Sequence, residues 1–115
     1  MPVRLNKPWL PLNPESLHLV KGQLGVFELG SDDDGVTFIG CADARSLFGL
    51  KGELQNHLDQ IHLDKKNATH FRIEITSAYQ TRYRELLMVH YADHGSYPRD
   101  NDESELPRLG RLSPL

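Results

Sequence analysis

The stretch GVFELGSDDDGVTFIG, residues 25–40, decides how the rest of the chain is read. Two short runs of apolar, β-branched and aromatic residues flank a Gly-Ser-Asp-Asp-Asp-Gly segment. Glycine reaches positive φ without steric cost, and aspartate side chains bond nearby backbone, so the middle segment is turn chemistry. An antiparallel hairpin follows, with strands near residues 25–29 and 36–40. Asp32, Asp33 and Asp34 lack the spaced ligands and closing Glu of an EF-hand, and read as a solvated turn.

Downstream of the hairpin, Leu50, Leu54, Leu58 and Ile61 recur at helical spacing with Glu53, Gln55, Asn56 and Asp59 between them. The spacing predicts an amphipathic helix from about Leu47, ending before Lys65, with Gly49 and Gly52 blurring its start. In THFRIEIT, residues 69–76, Phe71, Ile73 and Ile75 alternate with Arg72 and Glu74, the period of a half-buried strand. Ser77 and Gln80 fit a capping box, opening a second helix from about Ala78 to Asp93 that Gly95 stops. That helix is expected to bury Tyr79, Tyr83, Leu86, Leu87 and His90. Residues 96–101, SYPRDN, read as a loop.

Upstream, Pro2, Pro8, Pro11 and Pro14 punctuate an extended arm anchored by Trp9 and Leu10, with one helical turn within Glu15 to Val20. Past Asn101 no periodicity remains. The expected organisation is an N-terminal arm over residues 1–23, a domain over 24–101 and a flexible tail over 102–115. The expected fold class is α/β: a small three-stranded mixed sheet, made of the hairpin plus one strand, packed by two helices.

Composition narrows the function classes. A chain of 115 residues has room for one core. Its formal charge is −3 and its pI about 6.0, without the basic excess that usually supplies affinity for phosphate backbones. Nucleic-acid binding is therefore expected to be weak. No apolar run approaches the ~20 residues that span a bilayer, and MPVRLNKPWLPLNP has no signal-peptide core, so no membrane association and a cytoplasmic location are expected. The single Cys41 excludes an intramolecular disulfide and a cysteine-rich metal site.

Hairpin, helix, strand and helix in this order resemble the GIY-YIG nuclease domains. GVF and FIG stand in the two strand motifs, Glu85 lies within YRELLMV on the second helix, and Pro98 and Asn101 follow in the closing loop. The resemblance covers roughly residues 24–101. It implies a divalent-metal-dependent phosphodiester hydrolase acting on DNA or RNA. Glu85 would be the ligand of Mg²⁺ or Mn²⁺, and Asn101 would brace the site. A basic residue, Lys51 of the first helix or Arg45 just upstream of it, would contact phosphate, and His57 resembles the His or Tyr found late in that helix.

Several positions depart from the pattern. Phe27 and Phe38 replace the motif tyrosines and bring no hydroxyl to move a proton. Cys41 stands where a Lys is common, and aligning back from His57 puts Glu53 at the arginine position. A catalytically inactive interaction or assembly module therefore stands beside the hydrolase, with a protein partner bound through the Trp9 arm or the C-terminal tail. Simpler roles exist for the same residues. Glu85 can pair with Arg82 one turn earlier, and His57 can be a partly buried helix histidine. His90 and His94 have the i, i+4 spacing of transition-metal ligands, but no third ligand accompanies them in the sequence, and His90 fits packing beside Leu86 and Leu87.

Overall fold

The structure, a computed structural model, describes residues 4–32, 35–43, 48–64 and 68–101. Within them the chain runs β1 (Leu10–Pro11), α1 (Pro14–Leu17), β2 (Gly25–Ser31), β3 (Gly35–Ala42), α2 (Gly49–Asp64), β4 (His70–Ile75) and α3 (Tyr79–His94). The hairpin is present as β2 and β3, and its Asp33 and Asp34 lie outside the described residues. The expected tail over residues 102–115 also lies outside them.

The sheet corrects the sequence expectation. Among the described residues it has four strands in the order β1-β4-β2-β3, every neighbouring pair antiparallel, and three helices accompany it instead of two. The parallel contact expected of a mixed sheet does not form, because α2 carries the chain across β2 and delivers β4 to its far side. There β4 pairs with β2 from Gly25↔Ile75 to Gly30↔His70. Strands β3 and β4 thus share a direction without being neighbours. The fourth strand escapes periodicity because it is two residues long and ends in Pro11, which has no N–H for a ladder and suits an edge.

The N-terminal segment enters both cores. Leu10 faces Phe71 across the ladder, and the Leu12 N–H donates to the Thr69 carbonyl at 2.9 Å. The Asn13 side chain caps α1 by accepting from the Ser16 N–H at 2.8 Å, with Pro14 in the first turn where its missing donor costs nothing. That turn seats Leu17 and Val20 under the sheet.

Period-two alternation sorts the strands between two faces. Phe27, Leu29, Phe38, Ala42, Phe71 and Ile73 pack with Leu50, Leu54 and Leu58 of α2. On the opposite face Val26, Ile39 and Cys41 pack with Leu86 and Leu87 of α3, joined by Leu5 and partly by Tyr79, Tyr83 and Tyr97. Val89 is buried as well, beyond the expected set, and Tyr79, Tyr83 and His90 are only partly covered.

Two element ends also differ from expectation. No side chain caps α3: its N-cap is Ala78, whose N–H donates to the Thr76 hydroxyl, so the Ser77–Gln80 capping box does not form. The start of α2 is set by consecutive positive φ values at Phe48 (64°) and Gly49 (58°), a left-handed step that a non-glycine residue takes rarely. Gly95 ends α3 in the left-handed conformation, as its place in the sequence predicts.

Candidate functional site

The residues singled out by the GIY-YIG likeness fall on different sides of the sheet. On the α2 face the Phe27, Phe38 and His57 rings form one cluster, with His57 centred 5.4 Å from Phe27 and 4.5 Å from Phe38. Lys51 starts the same helix and is half-buried. Arg45 lies outside the described residues.

Glu85 belongs to the other face. Its carboxylate accepts from Arg82, one turn earlier on α3, and Arg82 also donates through Nε to Glu74 of β4 at 2.7 Å. Glu74 sits opposite Val26 in the ladder, on the α3 side. The full thickness of the sheet therefore separates Glu85 from Phe27, Phe38 and His57. A guanidinium already bridges the two carboxylates, supplying the positive charge that a bound cation would supply. Among the described residues, no three or more His, Cys, Asp and Glu side chains gather as a metal site. The residues around Glu85 do not fit a Mg²⁺ or Mn²⁺ centre.

Asn101 acts on backbone. Its Oδ1 accepts from the Ile39 N–H and its Nδ2 donates to the Ile39 carbonyl, both at 2.9 Å. Next to it the Asp100 N–H donates to the Thr37 carbonyl at 2.8 Å. Residues 100–101 thus cover the outer edge of β3, which would otherwise present unpaired backbone groups. They do so beside an irregularity: Leu29 pairs with Phe38 and Gly30 with Val36, leaving Thr37 as the extra residue of a bulge. Asn101→Ala is expected to lower stability by about 1–3 kcal/mol, two part-buried hydrogen bonds' worth, read as a lower urea midpoint at unchanged slope.

A cleft of about 580 Å³ opens on the α3 side, and the family likeness does not point to it. Trp9, Thr37, Arg72, His90, Tyr97 and Arg99 supply much of its wall, with His94 at the same rim. Trp9, Arg72 and His90 are each placed by an identifiable constraint. Trp9 is held by the β1–β4 pairing and lies over Gly30, where a Cβ would come within 2.9 Å of the indole. The Arg72 guanidinium stacks on that indole, 4.3 Å from the ring centre. It also donates through Nε to Glu28, its direct cross-strand partner in the β2–β4 ladder, at 2.6 Å.

Glu28 is a buried carboxylate, only 5% exposed. Burial raises its pKa above the ordinary carboxylate range, while Arg72 and, less directly, Arg82 pull it back. His90 is fixed by its Nδ1, 2.9 Å from the Ser96 carbonyl, and its ring lies 4.4 Å from that of His94. Burial lowers the His90 pKa, outweighing the carbonyl that favours its charged form. Asp93, between the two histidines in sequence, is turned to Arg4, whose Nε donates to it at 2.8 Å. A smaller hollow of about 160 Å³, shared by Glu28, Arg72, His90 and Asp93, adjoins the cleft.

Cys41 is half-buried near Asp43 and Glu53, and burial with these negative charges pushes its thiol to about 11, the opposite of an activated nucleophile.

A family model described as a domain of unknown function, DUF7508, matches residues 1–93. The chain belongs to this family. The DUF7508 match takes in the N-terminal segment, whose Leu5, Leu12, Leu17 and Val20 are buried, as well as the sheet and nearly all of α3. It includes Trp9, Arg72 and His90 of the cleft and stops before His94 and Arg99. No curated protein and no solved structure matches this DUF7508 chain. Among the described residues, no helix is long and apolar enough to cross a membrane.

Trp9 as an anchor and the spaced pair His90 and His94 are legible in the sequence. Arg72, Thr37 and Arg99 are not legible there as cleft residues. The available signal was Arg72 on the polar side of β4, since a charged residue there must meet either solvent or a partner strand's carboxylate.

Proposed function

We propose that this DUF7508 chain is a binding module of GIY-YIG-like build that holds a protein partner at the Trp9–Arg99 cleft and does not hydrolyse phosphodiesters. The observation that carries the reading is the separation of Glu85 from Phe27, Phe38 and His57 by the sheet, with Glu85 committed to Arg82. Metal-assisted phosphoryl transfer needs a cation, a phosphate contact and an activated water converging on one point. Here the metal-ligand candidate and the remnants of the strand motifs face different helices.

The cleft offers a different capability. Arg99 brings a half-exposed guanidinium, Trp9 and Tyr97 present rings, and Trp9 is 37% exposed with the Arg72 guanidinium stacked on it. Buried aromatic and arginine anchors of this kind carry much of the energy in protein interfaces. The acidic balance of the chain fits a protein partner better than a polyphosphate backbone.

A nicking assay on plasmid DNA and structured RNA with Mg²⁺ or Mn²⁺ is expected to show no cleavage above background. Retention of a partner from the source cell is expected to fall on Arg99→Glu, a change on a half-exposed side chain. Metal-dependent cleavage that vanishes in Glu85→Ala would overturn the reading in favour of the hydrolase.

A further inference from the structure

His90 and His94 do more than line the cleft. Four residues apart on α3, they bring their rings together on one helix face, 4.4 Å between centres and tilted by 38°. A carbonyl oxygen can only accept, so the 2.9 Å contact from His90 Nδ1 to the Ser96 carbonyl places the proton on Nδ1. Nε2 is left with its lone pair. That is the arrangement of metal-ligating histidines, whose second nitrogen is fixed by a backbone carbonyl or a carboxylate.

The pair also sits in the last two turns of α3, where the outward carbonyl ends give partial negative charge and favour a cation. The positive groups nearby are answered: Arg72 by Glu28 at 2.6 Å and Arg99 by Asp100 at 3.5 Å. Arg4 is taken up by Asp93.

We propose that His90 and His94 form a two-point site for a divalent transition metal of the imidazole-preferring class, with its remaining coordination positions open to the cleft. Neutral imidazoles suit zinc, copper and nickel, and copper should bind most tightly in the usual divalent order. Two protein donors cannot close a structural tetrahedral site. Such a metal stays exchangeable and accessible to ligand atoms brought by whatever occupies the cleft. Nothing in this site involves Glu85, and it stands whether or not a protein partner is found.

Zn²⁺ titration of the full chain, followed by backbone and imidazole NMR signals, tests the site. One saturable event is expected, with shifts confined to His90, His94 and the residues around Ser96. His94→Gln, on an exposed side chain, is expected to weaken binding at least about tenfold while leaving the metal-free backbone spectrum in place. His90→Gln should weaken it similarly, and the double variant should lose the event. Equal affinity in His94→Gln, shifts centred on His18, His57 or His70, or no saturation at all would each overturn the assignment.

Discussion

Phe27→Ala is expected to destabilise the fold by about 3–5 kcal/mol, lowering Tm by roughly 10–25 °C. The size follows from what surrounds the ring. Phe27 is fully buried on β2, between the Phe38 ring at 5.9 Å and the His57 ring at 5.4 Å. Below it lies Gly40, where a Cβ would come within 2.4 Å of Phe27 Cζ, so the ring occupies the space that a side chain on the partner strand would fill. Removing the ring therefore leaves a void with a glycine for its floor. The strand ladder on both sides of β2 fixes the backbone and prevents collapse into the void. Because a domain of this size has a total stability of about 5–15 kcal/mol, the loss is a large fraction of the margin. Thermal unfolding followed by circular dichroism measures it, and a Tm within a few degrees of the parent would mean that this core is not organised around Phe27.

Phe27 also shows why the strands and helices were legible in the sequence when the arrangement of the candidate residues was not. Strand motifs, turn residues and helix periods are local, and GVFELG, GVTFIG, FRIEI and the leucine spacing of α2 lie where their patterns place them. What a linear pattern leaves out is which side of a sheet a helix covers. The positions of Glu85 and Phe27 in sequence are compatible with one shared groove or with opposite faces, and only the route of α2 and α3 separates the two.

The two-residue strand at Leu10–Pro11 was illegible for a related reason. It exists because β4 offers a free edge, and nothing in its own sequence has the period of a strand. The alternation of Arg72 and Glu74 with Phe71, Ile73 and Ile75 was readable, yet alternation assigns polar residues to water by default. Here α3 and the N-terminal segment cover that face, and the charges meet each other.

Arg72→Met puts that last point to a quantitative test. Glu28 is 5% exposed and depends on the Arg72 guanidinium for its compensating charge. Removing the arginine leaves a buried carboxylate without its main partner, a change that costs about 3–5 kcal/mol, whereas a hydrophobic replacement of both partners is often neutral or better. Arg72→Met alone should therefore be strongly destabilising near neutral pH. Glu28→Leu combined with Arg72→Met should recover most of the loss, with Trp9 packing on the methionine in place of the guanidinium.

The pH dependence of the single variant separates charge from lost packing. Burial already raises the Glu28 pKa, and loss of Arg72 raises it further. With a folded-state pKa above the unfolded value, the folded chain binds more protons in between, so stability falls as pH rises through that interval. The deficit of Arg72→Met relative to the parent should accordingly shrink as pH is lowered from neutrality through the raised pKa towards the ordinary carboxylate range, where Glu28 folds uncharged. A deficit independent of pH across that interval would assign the loss to the missing stack on Trp9 and remove the buried ion pair from the account of this face.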